Sequence, residues 1–210
     1  MIKYLGQNWQ MIIQLTGQHV LITAITILIA TALAVPIGYF LAVHKKISKI
    51  LMPFFSLIYT IPSLAFFVML IPIFGLGLLP AIVALVAYTL FVIIRNTIVG
   101  YQQVDPNVIE AAKSLGYNKW AIIVKFKTLY ALPTILAGIR IATISTIGIA
   151  TIASYINAGG LGTMLFNGLN QNNYTEVVVG SIVISLFAIL VNFGLEKLQT
   201  LSLAYINGTL

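Results

Sequence analysis

The side chains that most often carry chemistry are scarce in this sequence. It has no cysteine and only two histidines, which excludes a thiolate nucleophile and argues against a histidine-rich metal centre. No H-E-x-x-H, G-x-S-x-G or G-x-x-x-x-G-K-[ST] pattern occurs, so a zinc protease, a serine hydrolase and an ATP-binding phosphate loop are not expected. The four carboxylates all fall outside the middle of the apolar segments, at Asp105, Glu110, Glu176 and Glu196. We therefore expect no catalytic residue, no metal site and no cofactor in this chain.

Hydroxyl groups in two apolar segments are the remaining candidates for contact with a small solute. Pro62 lies inside the first of these segments, where it would free backbone carbonyl groups that a neighbouring helix or a water-filled cavity must satisfy. The second segment carries hydroxyls that would form a weakly polar, uncharged wall. The candidate pathway or gate residues are Tyr59, Thr60, Pro62, Ser63, Thr143, Thr146 and Ser154. A plainer interpretation is that the small residues recurring every four positions at 30–38 and 138–154 serve close helix packing.

The rest of the composition is typical of a protein embedded in a membrane. Of 210 residues, 60% are hydrophobic and 7% are charged, and the mean hydropathy is +1.05. Several apolar stretches reach the roughly 20 residues needed to cross the hydrocarbon of a bilayer. We predict an all-α membrane protein that forms one transmembrane domain over residues 1–210, without a cleaved leader. Five spans are predicted, at residues 20–43, 51–73, 80–99, 130–156 and 177–195.

Positive charge sets the expected orientation of the spans. The sequence contains 11 Lys and Arg residues against four Asp and Glu. All but Lys3 fall on one side of the predicted bundle or close to it within a span. The positive-inside rule therefore places the N-terminus outside, the C-terminus inside and residues 100–129 in the cytoplasm. His19 and His44 bracket the first span and are expected at the interfaces, and Arg140 is expected to extend its charge back to the cytoplasmic surface.

The cytoplasmic loop carries a helix-Gly-helix pattern. Asp105 is a typical N-cap, Pro106 suits the first helical position, and Gly116 would end the helix. A second short helix is predicted to follow, with its apolar stripe at Trp120, Ile123 and Val124. On composition alone, this pair of helices could lie on the lipid headgroups and be anchored there by its lysines.

The string at residues 110–116, E-A-A-K-S-L-G, resembles the E-A-A-x-x-x-G signature of permease subunits of binding-protein-dependent ABC importers. In that family the last long cytoplasmic loop is a coupling helix that docks in a groove of the ATPase subunit, and its small alanines allow a close approach. The pattern continues in the family with I-x-L-P, where this chain has F-K-T-L at 126–129. The resemblance implies ATPase-coupling roles for Glu110, Ala111, Ala112, Lys113, Leu115 and Gly116.

Further segments resemble one branch of that family, the osmoprotectant permeases for glycine betaine, carnitine and choline. They lie at residues 61–67, 74–82, 95–97, 136–140 and 158–162, and the last is shared with methionine-importer permeases. The resemblance covers about residues 18–197 and implies a methionine-importer-like permease fold. Because quaternary ammonium groups are held by aromatic faces, Tyr59, Phe66, Phe67 and Tyr88 could contribute to a cage, although aromatic residues are equally common facing lipid.

The resemblance also implies the partners and the location. The chain would be a multi-pass transport subunit in a bacterial plasma membrane, paired with a second permease that is itself or a homologue. ABC ATPase subunits would bind the ATP and Mg, and an extracytoplasmic binding protein would deliver the solute. An amino-acid importer of the methionine type is the alternative. A self-sufficient channel or secondary transporter is less well supported, because such proteins normally bury a charged residue in mid-membrane.

Overall fold

The computed structural model describes residues 1–206 and residue 208, and the regular elements of that part of the chain are all helical. The helices are α1 (Ile2–Val43), α2 (Lys45–Thr60), α3 (Ser63–Phe74), α4 (Leu78–Gln102), α5 (Pro106–Ser114), α6 (Lys119–Ala121), α7 (Thr128–Ala153), α8 (Gly162–Asn170) and α9 (Tyr174–Ile206). A π-helical segment, Ile122–Lys127, joins α6 to α7, and a 3₁₀ turn, Ser154–Ile156, follows α7. The prediction of an all-α protein is confirmed.

The number of candidate spans in the structure is within one of the five predicted from the sequence. In the described residues, four helical runs are long and apolar enough to cross a bilayer: Lys3–Val43, Leu78–Gln102, Lys119–Ile156 and Tyr174–Ile206. A fifth span would consist of α2 and α3 together, which meet at an angle of 97°. The protein therefore has four or five candidate spans.

The bend between α2 and α3 differs from the single helix expected over residues 51–73. Ile61 has an extended backbone, with φ −64° and ψ 131°, as is usual for the residue before a proline. Helix α3 then begins at Ser63, directly after Pro62. The proline does not kink one helix; it divides the segment into two.

Helix α1 begins much earlier than the apolar pattern indicated. The first span was expected to begin at about residue 20, but α1 is helical from Ile2. The N-terminal part carries Gln7, Gln10, Gln14 and Gln18, which lower its hydropathy. Glutamine is nevertheless a good helix former, so the end of the apolar stretch is not the end of the helix. Helix α9 likewise continues beyond residue 195 to Ile206.

The second helix of the cytoplasmic loop is not a separate element. Helix α6 begins at Lys119, after Asn118 as expected, but it runs through the π-helical segment into α7 without a turn. A helix thus follows Asn118 as predicted, but it is continuous with the fourth span, and the loop between α5 and this long helical run is short. The end of the loop is therefore helically continuous with the start of α7.

Helix α4 lies at the centre of the bundle, between α1 and α7. Ala30 and Ala34 of α1 are completely buried in one cluster with Ile93 and Ile94 of α4. Their four-residue spacing therefore serves close packing between α1 and α4, as the plainer interpretation expected. Helix α9 packs on α7 and α8 and leaves most of its surface exposed.

Candidate functional site

Helix α5 is capped at both ends by its own sequence. The Asp105 carboxylate accepts a hydrogen bond from the backbone N–H of Asn107 (Oδ1···N 2.8 Å), and Pro106 occupies the first turn. At the other end the N–H of Gly116 donates to the carbonyl of Lys113 (2.9 Å), and that of Tyr117 donates to the carbonyl of Ala112 (3.2 Å). This pair of hydrogen bonds is the Schellman motif, which satisfies carbonyl groups at a helix end.

Gly116 is required by the conformation of that end. Its φ is +81°, in the left-handed region that glycine adopts without cost. An added Cβ atom would meet nothing within 4 Å, so space does not restrict this position. Within the chain, a substitution at Gly116 is therefore opposed by the backbone conformation and not by crowding.

The residues of the E-A-A-x-x-x-G string face in two directions. Ala112 is 1% exposed and lies on the side of α5 that packs against the π-helical segment. Glu110, Ala111 and Lys113 are exposed, and Leu115 is 76% exposed. The small size of Ala112 thus serves packing within the chain, whereas Ala111 is exposed.

Several large apolar side chains at and after Leu115 in the sequence are exposed. Trp120 is 73% exposed and Val124 is 49% exposed, both on the helical run that follows. Tyr117 is also exposed, and its ring packs against Phe126 at 5.0 Å between centroids. Large apolar side chains exposed together typically mark a protein or membrane contact. We define Leu115, Tyr117, Trp120 and Val124 as the loop surface.

Hydrogen bonds connect this region to the bundle. The Tyr101 hydroxyl of α4 donates to Thr128 Oγ1 of α7 (2.9 Å), because the Thr128 hydroxyl itself donates to the carbonyl of Ile123 (2.9 Å). Thr134 of α7 donates to Gln103 Oε1 (3.3 Å). These contacts join the end of α4 to the start of α7, so the loop surface is mechanically connected to both helices.

A cluster of rings and hydroxyls lies at the α2/α3 bend. The Tyr59 ring lies 6.2 Å from that of Tyr88 and 5.1 Å from that of Phe91, measured between centroids. Phe66 packs edge-on to Tyr88 at 5.4 Å. Thr89 and Thr146 join α4 to α7 through a 3.1 Å contact between their Oγ1 atoms.

A narrow crevice between three helices is lined by four members of this cluster, Tyr59, Tyr88, Thr89 and Thr146. Its lining consists of Tyr59, Tyr88, Thr89, Val92, Ala142, Ser145, Thr146 and Ile149. The crevice is too tight to admit a water molecule, and no charged residue lines it. We call it the crevice. Its wall is aromatic and hydroxylic, and in this conformation it is closed.

The structure brings together only part of the candidate pathway set. Tyr59 and Thr146 both line the crevice, and Pro62 lies at the bend beside it. Thr143 instead lines an apolar groove against α1 and α9. Ser154 lies at the end of α7, where its hydroxyl donates to the carbonyl of Gly159 (2.7 Å). The remaining two candidates, Thr60 and Ser63, flank the bend.

A buried polar contact near the other end of α7 was missed from the sequence. His19 is completely buried, with Nε2 3.1 Å from the carbonyl oxygen of Ile147 and Nδ1 accepting from the N–H of Leu161 (3.3 Å). The neighbouring Gln18 Oε1 accepts from the N–H of Gly160 (3.0 Å). His19, expected as an interfacial residue, is therefore buried inside the protein against α7 and Leu161. Gln18 and His19 of α1 therefore bind the segment after α7 through hydrogen bonds from the N–H groups of Gly160 and Leu161.

Arg140 also has a partner that the sequence did not indicate. Its Nη1 lies 3.6 Å from Glu196 Oε2 of α9. The guanidinium therefore pairs with a carboxylate across the α7/α9 contact, where it had been expected to reach the cytoplasmic surface alone. In the described residues, no group of three or more His, Cys, Asp or Glu side chains could hold a metal ion.

Comparisons with known proteins place this architecture among transport proteins. The family described as "binding-protein-dependent transport system inner membrane component" matches residues 34–203. The chain is 37% identical to the carnitine transport permease protein OpuCB of Listeria monocytogenes, over 94% of this chain and 91% of that protein. It is also 37% identical to the glycine betaine/carnitine/choline transport system permease protein OpuCB of Bacillus subtilis (strain 168), over 92% and 89% respectively.

The fold is similar to that of a solved transporter. A chain of the inward-facing MetNI methionine ABC transporter superposes with a TM-score of 0.80 at 20% sequence identity, covering 91% of this chain and 95% of that one. The methionine-importer-like permease fold expected from the sequence is thereby confirmed at the level of the fold.

Proposed function

Because the chain belongs to the family of inner-membrane components of binding-protein-dependent transport systems, we propose that it is the permease subunit of an ATP-driven importer for small quaternary-amine osmoprotectants such as glycine betaine, carnitine and choline. The observation that carries this choice of solute is the 37% identity to two permeases named for those compounds, over more than nine-tenths of the chain. The protein is a transport component and not an enzyme.

The proposed orientation has the N-terminus outside and the C-terminus inside. Lys45, Lys46 and Lys49 follow the end of α1, and further lysines lie on the loop between α4 and α7. The contacts of Tyr101 with Tyr39 and Thr128 bring the ends of α1 and α4 and the start of α7 to one end of the bundle. That end collects most of the positive charge, which favours the cytoplasmic side of a bacterial plasma membrane.

The proposed coupling element is α5 with the loop surface. Leu115 and Trp120 expose apolar area outside the bundle, while Ala111 leaves room for the wall of a groove to approach. An ABC ATPase subunit that binds this surface would move the start of α7 and the end of α4 together, because the hydrogen bond between Tyr101 and Thr128 joins these two helix ends. In this proposal the ATPase subunits bind the ATP and Mg.

The proposed pathway passes the crevice. Aromatic faces attract a quaternary ammonium group by cation–π interaction, and the crevice is lined by two aromatic rings, those of Tyr59 and Tyr88. Without a charged residue in its lining, the crevice would hold the solute weakly. Weak binding suits a subunit that receives its solute from a separate extracytoplasmic binding protein. A second permease subunit, either a copy or a homologue, would complete the pathway on the open side of α2 and α3.

The test begins with the partners. The tagged protein is extracted in mild detergent, and the proteins that co-purify are identified by mass spectrometry. We expect an ATPase with a phosphate-binding loop and a substrate-binding protein. The complex is then reconstituted in proteoliposomes, and uptake of labelled glycine betaine, carnitine, choline and methionine is measured with ATP inside and with a non-hydrolysable analogue inside.

The proposal expects uptake of the quaternary amines that depends on both ATP and the binding protein. ATP-driven uptake of methionine alone would support the amino-acid alternative. Uptake by the isolated chain without any ATPase would contradict the importer proposal and favour a self-sufficient channel.

A further inference from the structure

A cavity of about 450 Å³ opens at the lysine-rich end of the bundle, and it shares no lining residue with the crevice or the loop surface. It lies between the end of α1, the end of α4 and the residues just before α7. Its lining consists of Tyr39, Ala42, Val43, Lys45, Tyr101, Gln102 and Lys127. The polar lining residues therefore come from three separate parts of the chain. We call it the lysine cavity.

The polar groups of the lysine cavity are mostly unused donors. No carboxylate lines it, and in the described residues the ion pair found is Arg140 with Glu196, so neither Lys45 nor Lys127 is neutralised. The Gln102 amide makes no hydrogen bond within the described chain, and neither does the Tyr39 hydroxyl. Two ammonium groups, an amide and a phenol thus surround a space with no acceptor of opposite charge.

The back wall of the lysine cavity is fixed in place. The Tyr101 hydroxyl is held by Thr128 at 2.9 Å, and its ring packs on that of Tyr39 at 4.9 Å between centroids. The side chains of Ala42 and Val43 form an apolar edge of the cavity, and Val43 is 48% exposed. The interior of the cavity is charged and rich in donors, and its exposed edge is apolar. These features suit a ligand in which an anionic group is attached to a hydrocarbon chain.

We propose that the lysine cavity binds a phosphate group, with Lys45 and Lys127 as its charge partners and Tyr39 and Gln102 as hydrogen-bond donors. Phosphate oxygens accept hydrogen bonds strongly and carry the negative charge that two unpaired ammonium groups attract. Basic pockets between membrane helices on the cytoplasmic side are a recognised means of binding acidic lipid headgroups. The phosphate could belong to such a headgroup or to a free phosphate ion, and the experiment distinguishes these two sources.

The test compares charge-matched variants of the full chain purified in detergent. Binding of phosphatidylglycerol, of phosphatidylcholine, of the soluble headgroup glycerophosphoglycerol and of inorganic phosphate is measured by native mass spectrometry and by the shift in thermal midpoint. The variants are Lys45→Gln/Lys127→Gln and the charge-retaining Lys45→Arg/Lys127→Arg. The control, Lys119→Gln/Lys197→Gln, removes two positive charges from exposed residues that do not line the cavity.

We expect the parent protein to prefer phosphatidylglycerol to phosphatidylcholine. The Gln pair should weaken that binding by about fivefold per lysine, since a basic residue near an acidic lipid contributes about 1 kcal/mol. The Arg pair and the control pair should keep the preference. Competition by glycerophosphoglycerol or inorganic phosphate at similar concentrations would identify a free phosphate as the ligand of the same site.

Two results would overturn the proposal. The first is that the parent protein does not bind inorganic phosphate and binds phosphatidylglycerol no more tightly than phosphatidylcholine. The other is an equal loss in the control pair, which would show that net charge, and not the cavity, attracts the lipid. Because the substituted lysines are solvent-accessible, the thermal midpoint of each variant without ligand is expected to match that of the parent, so a lost preference reports binding.

Discussion

The hydroxyl of Tyr88 on α4 donates a hydrogen bond to the backbone carbonyl of Ile61 across 2.7 Å, at the point where the chain breaks between α2 and α3. No backbone N–H in the described chain donates to that carbonyl, since the helix is interrupted there. An unsatisfied carbonyl is costly inside a membrane, where water is absent. One tyrosine on the central helix therefore stabilises the 97° bend.

Replacing Tyr88 with Phe should loosen the bend. The substitution keeps the ring among Tyr59 and Phe66 but leaves the Ile61 carbonyl without a donor. The hydrogen bond is partly buried, so its net loss costs about 0.5–1.5 kcal/mol. We expect a lower thermal midpoint in detergent and slower osmoprotectant uptake in proteoliposomes.

The matched control is Tyr59→Phe, in the same aromatic cluster. The Tyr59 hydroxyl makes no hydrogen bond to the described residues, so its removal should leave the thermal midpoint unchanged. If both substitutions lowered the midpoint equally, the hydrogen bond from Tyr88 to Ile61 would have no special role in the bend.

Substitution of Gly116 should separate ATP hydrolysis from uptake. Val is strained at a φ of +81°, so Gly116→Val should distort the Schellman end of α5 and displace Leu115. We expect normal membrane insertion, continued ATP hydrolysis by the assembled complex, and little uptake. The two rates are measured on the same proteoliposomes.

Gly116→Asn is the control for side-chain bulk. Asn adopts a positive φ more readily than other non-glycine residues, and neither side chain meets an obstacle, because a Cβ at this position has nothing within 4 Å. Uptake should therefore be preserved much better by Asn than by Val. Normal uptake by the Val variant would count against α5 as the coupling element.

The long helices could be predicted because hydropathy is a local property. The apolar stretch of α4 coincides with its helix to within a few residues, and the Asp105-Pro106 pair marked the start of α5 correctly. The beginning of α1 could not be predicted in the same way, since glutamines end an apolar stretch without ending a helix. The sharp bend at Pro62 and the short helix α8 also left no periodic signal that distinguished them from a kink or a loop.

The contacts that shape the candidate sites were less predictable, because they join residues that are distant in sequence. His19 and Ile147 are 128 positions apart, and nothing around either residue indicates the other. The chemistry of Tyr59 and Thr146 makes both residues pathway candidates, and the structure shows that they line the same crevice. Thr143 is a candidate on the same grounds and faces an apolar groove, because only the packing of α7 decides which hydroxyl faces which helix.

The glycine segment after α7 should depend on its contact with α1. Gly160 has a φ of +82°, and an added Cβ would lie 3.0 Å from His19 Nδ1. Gly160→Ala therefore meets both backbone strain, about 1–2 kcal/mol, and a crowded neighbour. We expect a lower thermal midpoint and faster proteolysis between α7 and α8.

Gly148→Ala provides the comparison on α7 itself. Gly148 is helical, and an added Cβ meets nothing within 4 Å, so alanine should leave the midpoint unchanged or raise it slightly. An unchanged midpoint for Gly160→Ala would show that the contact between His19 and the segment after α7 is not tight in solution.

The ion pair between Arg140 and Glu196 should contribute little to stability but affect the contact between α7 and α9. The two side chains are 28% and 51% exposed, and their closest atoms are 3.6 Å apart, so solvent screens much of the attraction. A double-mutant cycle with Arg140→Gln and Glu196→Gln should give a coupling energy below about 1 kcal/mol that falls as salt is added. The double variant Arg140→Glu/Glu196→Arg, which reverses the pair, should have a higher free energy of unfolding than either single variant, Arg140→Glu or Glu196→Arg. A reversed pair no more stable than the single reversals would contradict the pairing and return Arg140 to the solitary position at the membrane surface expected from the sequence.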